Sequence, residues 1–400
     1  MTEAPRSTVP ERLPTMPLPR SLVTATIRRV DVATLTGQRP RSAGSNARLD
    51  DHGIDVRTTF AQVTTSDGQT GFGQCRASRN QLQELVGHSL GDVLGDDDLI
   101  SHRWLPLEFP LWDLIGRAAG KPVYALLAAR ANRPVNGPLR PRCYDTSLYI
   151  DDLHIGDDAG AAALMADEAA SGVARGHQAF KIKIGRGARH MPLEAGTIRD
   201  IAVIRAIREE VGPDATVMVD ANNGYNLNLT KRVLDETRDC NLYWMEEAFY
   251  EDDVLYADLQ QWLDAEGLST LIADGEGLAS PRLLDWAHSG VIDVVQYDII
   301  DRGLSGWVRT GEQLDGWGAR TAPHVYGSVF GPFACAHLAA AVDGFEFVEW
   351  DQISTPGFDT SAYRVKEGYL EVPDAPGFGL ELDAERFRQA VAANGFSVGR

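Results

Sequence analysis

The chain has 400 residues, and 57 Asp and Glu against 38 Lys and Arg give it a net charge of -19. That balance argues against a nucleic-acid groove and an anionic membrane surface, but not against an anionic substrate met by a few local cations. The length suits two or three domains or one large barrel with an attachment, and 44% apolar residues can bury a sizeable core.

The opening stretch MTEAPRSTVPERLPTMPLPRS is proline-rich and polar, and it reads as a flexible tail rather than a signal peptide. No run is apolar enough to span a bilayer. Cys75, Cys143, Cys240 and Cys335 are far apart in sequence, as expected for free thiols in a reducing, cytoplasmic setting. Strand patterns cover Leu22–Leu35 and Val56–Thr65, and Asp67-Gly68 turns the chain into a third at Thr70–Cys75. Between the first two, Gly37–Gly53 is rich in Arg, Ser, Gly and Asn; it reads as a mobile loop, either a lid or a plain insertion. Helical spacing follows over Gln81–Leu94 and Pro110–Leu127, with Gly120 and Pro122 as stops. These elements make residues 1–137 an α+β domain, and the prolines of Ala131–Pro141 mark its boundary.

From Cys143 short β-rich runs alternate with helical patterns. Strands are expected near Cys143–Ile150, Ala179–Ile184, Thr216–Asp220, Leu242–Glu246, Leu271–Ala273, Val291–Tyr297, Arg320–Pro323 and Phe345–Glu349. This rhythm over 138–355 fits a (β/α)8 barrel; a doubly wound sheet would want a Gly-rich phosphate turn, and none is present. Ionisable residues end successive strands: Lys181 and Lys183, Asp220, Glu246, Glu276, Asp298, His324 and Glu349. Carboxyl ends of barrel strands converge on one mouth.

Asp220, Glu246 and Glu276 are carboxylates on neighbouring strands, and they coexist only if a cation neutralises them. All-oxygen ligands point to Mg2+, with Mn2+ as the alternative. Asn222 is placed to orient a ligand or the substrate, whereas the pleat turns Glu247 away from Glu246 toward a packing role. Lys183 and His324 would flank a bound substrate. Lys181 would hold the Lys183 pKa down by like-charge repulsion, and Asp298 would set the His324 tautomer. Glu349 reads either as a neutral acid donating a hydrogen bond or as a solvated rim acid paired with an arginine.

In order and spacing, these residues resemble the enolase superfamily, and within it the mandelate racemase group and its acid sugar dehydratases. The likeness rests on KIK at Lys181–Lys183, VDAN at Val219–Asn222, WMEE at Trp244–Glu247, DGE at Asp274–Glu276, DVVQYD at Asp293–Asp298, PH at Pro323-His324 and FVE at Phe347–Glu349. The segment PLWDLIGRAAGKPV, Pro110–Val123, adds to it. The resemblance implies a modified TIM barrel, (β/α)7β, with an α+β capping domain completed by residues 356–400, and one Mg2+ per subunit. It implies metal ligands at Asp220, Glu246 and Glu276, a catalytic lysine at Lys183, a His324–Asp298 dyad and an eighth-strand glutamate at Glu349. It also implies a homo-oligomer acting on a small carboxylate, while the charge balance speaks against a nucleic-acid or membrane partner. Departures are Ala248 and Tyr297 where proline is usual, and a loop from Asp298 to Gly303 one residue short, with Arg302 replacing the first of two glycines. Counting back from Gly303 would put Tyr297 in the dyad; counting forward along the strand puts Asp298 there, and strand register is the stronger guide.

The leading reading is dehydration of a sugar acid to a 2-keto-3-deoxy acid through an enediolate. The alternative is a racemase or epimerase using Lys183 and His324 on opposite faces. A cycloisomerase, and a barrel retained as a binding protein, rank below these.

Overall fold

The computed structural model describes residues 25–399 except 134 and 136, so the amino-terminal tail and Leu22–Thr24 lie outside the described residues. Four antiparallel strands come first in space, in the order β16-β1-β2-β3. β1 (Ile27–Ala43), β2 (Gly53–Thr65) and β3 (Thr70–Gln74) are consecutive, and β16 (Phe396–Gly399) returns from the far end of the chain to pair with Arg29–Val32. The turn into β3 uses Gly68 at φ 86°. The helix Glu108–Ala119 lies directly on this sheet: a Cβ on Gly71 would come within 2.3 Å of the Leu114 backbone. Within that helix, buried Asp113 accepts from Phe72 N and Phe378 N, both at 3.0 Å, and so ties the sheet to the carboxyl-terminal segment.

Two expected elements differ. Pro110–Leu127 is not one helix: Gly120 adopts φ 62° and a second helix starts at Val123. Gln81–Leu94 is likewise two short helices, Arg79–Leu85 and Leu90–Val93, separated at Val86-Gly87. The larger correction concerns Gly37–Gly53. β1 continues to Ala43; its pairing with β2 runs in register to Gln38↔Asp55, shifts, and resumes at Ala43↔Gly53, so only residues 44–52 lie outside the two strands. Alternating buried and exposed residues along Gly37–Ala43 carry the strand on despite a loop-like composition.

The barrel strands are β4 (Cys143–Leu148), β5 (Ala179–Lys183), β6 (Thr216–Asp220), β7 (Trp244–Glu246), β8 (Leu271–Asp274), β9 (Val294–Val295), β10 (Arg320–Thr321) and β11 (Val348–Trp350). They are parallel, ordered β10-β9-β8-β7-β6-β5-β4-β11, and a bridge from Thr321 to Phe345 closes the ring. β9 and β10 are shorter than their sequence patterns. Short pairs β12 (Phe358–Asp359) with β15 (Glu381–Leu382), and β13 (Arg364–Lys366) with β14 (Tyr369–Glu371), precede the helix Ala384–Asn394 and β16.

Inside the ring sits a separate core of Tyr144, Ala179, Met218, Trp244, Ala273, Val294, Ala322 and Phe347, one residue from each strand or its edge. Tyr144, Trp244 and Phe347 meet edge to face with centroids 5.6–6.1 Å apart. This aromatic layer is a dry floor for whatever lies above it.

Candidate active site

Two residues along each strand, the side chain faces the same way again. Above Tyr144 comes Thr146; above Ala179 come Lys181 and then Lys183; above Met218, Asp220; above Trp244, Glu246. Gln296, His324 and Glu349 follow Val294, Ala322 and Phe347 in the same manner. An apolar floor is thus succeeded by a ring of charge. All of these are buried except His324, whose side chain keeps 11% exposure.

Asp220, Glu246 and Glu276 each bring a carboxylate oxygen within 4.8 Å of the others, the one such group among the described residues. Glu276 lies beyond β8, after Gly275 at φ 126°, and its Oε2 is buried without a hydrogen bond. A buried oxygen without a hydrogen bond, among three acids, fits a hard divalent cation, and the donor set suits Mg2+. The oxygens are oriented from behind. Gln296 Nε2 and Trp244 Nε1 donate to Glu246 Oε2 at 2.9 and 3.1 Å, and Asn222 N donates to Asp220 Oδ1 at 2.8 Å.

Lys181 Nζ lies 2.7 Å from Glu246, 3.1 Å from Glu349 and 3.6 Å from Asp220. Burial disfavours its charge, yet Glu246 and Glu349 outweigh burial and raise its pKa. Lys183 Nζ touches Asp220. Here the expectation fails. Burial and Lys181 do pull the Lys183 pKa down, but contact with Asp220 wins and the net shift is upward. Burial also pushes Glu246 up to about 7, helped by Asp220, with both lysines opposing.

Glu349 is neither a neutral donor nor a solvated acid paired with an arginine. It is fully buried and accepts from Thr146 Oγ1 at 2.7 Å, Val325 N at 2.7 Å and Tyr326 N at 3.2 Å. Burial alone would raise its pKa, but Lys181, His324 and these donors hold it well below the usual carboxylate range.

At the opposite end of the triad, His324 Nε2 lies 3.5 Å from Glu276, and Nδ1 lies 2.5 Å from Asp298 Oδ1. Asp298, and not Tyr297, therefore faces the imidazole, as the forward count along the strand requires. Burial disfavours the imidazolium, but Glu276, Glu349 and Asp298 raise its pKa to about 10. Asp298 Oδ2 accepts from Gly277 N at 2.9 Å, which fixes the carboxylate. Lys183 beside Asp220 and His324 beside Glu276 bracket the triad from two sides.

Asn222 does not point freely at a ligand. Its Nδ2 donates to Glu247 Oε2 at 2.9 Å, while its Oδ1 is buried and unbonded. Glu247 takes φ 43° and is buried near Glu276 and Asp220, and burial with those charges pushes its pKa up to about 9.

The β1–β2 hairpin end is seated over this mouth. Ser45 and Ile150 exchange backbone hydrogen bonds at 3.2 and 2.8 Å. Ala47 sits where a Cβ on Gly185 or on Gly224 would come within 2.7 Å, so glycines after β5 and β6 form its socket. His190 Nε2 meets Asn46 O at 2.7 Å. Arg39 pairs bidentately with Asp351 and lies 4.4 Å above the Tyr326 ring. Tyr326 stacks on Tyr149, whose ring is 5.4 Å from Lys183 Nζ, and His52 meets both tyrosines edge-on. Tyr149 and Tyr326 also line a cavity of about 160 Å3 with Arg39, Arg41 and Trp350.

Sequence reasoning missed Gln296, the tyrosine pair and Arg186. The first stood in view, in phase with Val294. Arg186 is fully buried between Asp152 (3.0 Å) and Asp200 (2.7 Å), and it braces the turn after Lys183. A charged residue just beyond a barrel strand is the signal that would have found it.

Comparison with known proteins agrees with this geometry. Residues 164–386 match the family described as enolase C-terminal domain-like. A structure of a mutant galacturonate dehydratase from Geobacillus sp., complexed with Mg, superposes with a TM-score of 0.93 at 46% identity, covering 97% of this chain and all of that one. The galacturonate dehydratase from Geobacillus sp. complexed with D-galacturonate and 5-keto-4-deoxy-D-galacturonate gives 0.90 at 47% identity, over 94% of this chain and 100% of that one. Arabinonate dehydratase of Saccharolobus solfataricus is 26% identical over 366 residues, 84% of this chain and 90% of that protein. The chain belongs to the enolase superfamily, in its mandelate racemase and muconate lactonizing group.

Proposed function

We propose that this protein is a Mg2+-dependent acid sugar dehydratase whose substrate is a uronate of the D-galacturonate type. The observation that carries the reading is the three-carboxylate site bracketed by Lys183 and the His324–Asp298 pair. The choice of acid is supported by the likeness at 47% identity to a dehydratase complexed with D-galacturonate and its 5-keto-4-deoxy product.

Asp220, Glu246 and Glu276 would hold Mg2+, which would supply positive charge to the substrate carboxylate. Lys183 acts as the base once it has given up its own proton: the proton on the carbon beside that carboxylate passes to Nζ, and the electron pair left behind gives an enediolate. Lys181, kept cationic by Glu349 and Glu246, stabilises the growing negative charge. His324, protonated and held by Asp298, passes its proton to the adjacent hydroxyl, which leaves as water. The enol tautomerises to the keto acid. The carbons involved are C5 and C4 of galacturonate, which is the 2-keto-3-deoxy outcome counted from the other end. The floor beneath and the hairpin above exclude water from the enediolate.

The division into residues 1–137, 138–355 and 356–400, a cytoplasmic setting and a homo-oligomeric assembly belong to the same proposal. No helix among the described residues is long and apolar enough to cross a membrane.

The test is incubation with Mg2+ and a panel of uronates, aldonates and aldarates, read as α-keto acid. D-galacturonate is expected to react. Product from another acid alone overturns the substrate assignment. Exchange of the α-proton with no keto acid from any compound favours the epimerase.

A further inference from the structure

The segment that carries Asp298 is short and enclosed. Asp298 opens the single turn Ile299–Arg302, Gly303 follows at φ 73°, and the helix Leu304–Trp317 starts at once. Its backbone is joined to the dyad: Arg302 N donates to Asp298 O, and Ile299 N to His324 O, at 2.9 and 3.0 Å. Into this junction reaches Glu108, the first residue of the helix Glu108–Ala119 and wholly buried. Glu108 Oε2 accepts from Ser305 N at 2.9 Å. Ser305 Oγ in turn accepts from Trp112 Nε1 at 3.0 Å, one turn along the Glu108 helix, and from Ile100 N at 3.2 Å. A Cβ on Gly303 would fall 1.7 Å from Glu108 Oε1, so the junction admits only glycine while that carboxyl is there. On the same segment Arg76 pairs with Asp301 and donates from Nη2 to Asp301 O at 3.1 Å.

Gly303 lies against the Glu108 carboxyl at the amino terminus of the helix Leu304–Trp317, where free backbone amides need an acceptor. Nothing in the chemistry described above uses Glu108.

We propose that Glu108 is a positioning residue for the reaction: by anchoring Gly303–Ser305 it sets where Asp298 stands and, through Asp298, how the His324 ring is aimed. The inference rests on the reading of His324 and Asp298 as the acid pair. Burial pushes the Glu108 carboxyl up to about 7, against the hydrogen bonding from Ser305.

The experiment uses the full chain with Mg2+ and two variants. Glu108→Asp withdraws the carboxyl from Ser305 by one methylene, whereas Glu108→Gln keeps an acceptor oxygen at the same reach. Besides turnover, the Asp298–His324 hydrogen bond of 2.5 Å is expected to give a far-downfield imidazole proton resonance, a readout that needs no catalysis. In Glu108→Asp, kcat is expected to fall about 10- to 100-fold with KM within about twofold, and the resonance to broaden or vanish. Glu108→Gln is expected to restore both. Wild-type kcat and resonance in Glu108→Asp overturn the proposal. So does a parallel loss of kcat, KM and thermal stability in both variants, the mark of plain packing. A wild-type protein silent toward every acid sinks the dehydratase reading, while the resonance still decides the role of Glu108.

Discussion

Replacing Glu349 with Gln separates an ionised carboxylate from a protonated one. Of its four close neighbours, Val325 N, Tyr326 N and Lys181 Nζ can only donate and Thr146 Oγ1 donates as well, so the site favours the carboxylate over the acid. In Glu349→Gln the amide nitrogen must face one of those donors, and Lys181 loses a counter-charge 3.1 Å away. Breaking a buried ion pair from one side costs about 3–5 kcal/mol. Lys181 keeps Glu246 at 2.7 Å. The expected loss is therefore at the low end, about 3 kcal/mol. Urea unfolding at neutral pH with excess Mg2+ measures it. The pH dependence adds an independent reading. A carboxyl whose folded pKa is depressed stabilises the fold above its unfolded value, about 4.3. That stability is lost as pH falls through the lower folded value, so the acid-side decline should be shallower in Glu349→Gln. A loss below about 0.5 kcal/mol with an unchanged acid limb would refute the reasoning, because the carboxyl would then already carry a proton.

Other expectations concern the triad, the dyad and the hairpin. Asp220→Asn, Glu246→Gln and Glu276→Gln should each weaken Mg2+ binding in direct titration and cut turnover by at least ~100-fold; unchanged affinity in all three would rule the site out. His324→Asn should abolish keto-acid formation while α-proton exchange in D2O persists, and Lys183→Ala should abolish exchange itself; normal dehydration by His324→Asn would overturn the assignment. In metal-free protein, His324 is raised to about 10. Its contribution to stability is complete below the unfolded value of about 6.5 and should fade as pH rises toward the folded value, a slope that His324→Asn removes. Ala47→Leu should raise KM roughly 10-fold, because overpacking of the Gly185–Gly224 socket at about 1–3 kcal/mol lifts the hairpin; an unchanged KM would show that the seat is irrelevant to binding.

Much of the site was legible because a barrel converts alternation into layers. Lys181, Asp220 and Glu246 are read from strands whose apolar partners Ala179, Met218 and Trp244 lie two residues earlier, so direction follows from period alone. Residues off that period were harder. Glu276 depends on the twist at Gly275, and Glu247 and Asn222 adopt φ 43° and 42°, which no pleat argument foresees. The state of Glu349 was misread because its donors come from Thr146 and from two backbone amides far along the chain, and amides carry no sequence signal. The Lys183 shift was misjudged for a similar reason: like-charge repulsion from Lys181 is visible in KIK, whereas the stronger attraction comes from the next strand. Polar composition suggested a loose loop at Gly37–Gly53, where the extended pairing of β1 with β2 and the small residues around Ala47 instead allow close seating. β9 and β10 are short because few residues pair in register, although the apolar runs around them are longer.

The pairing of β16 with β1 has a consequence for the order in which the molecule is made. The hydrogen bond from Arg29 to Ser397 joins residues 368 positions apart. Every barrel strand lies between the two in sequence, so the barrel can be synthesised and collapse while β1 is paired with β2 alone and its outer edge is open. Contacts of such separation form late, because their loop-closure entropy must be met before they stabilise anything. The hairpin that covers the catalytic mouth grows from β1. The sheet that carries the hairpin is therefore completed only when the last strand of the chain has been made.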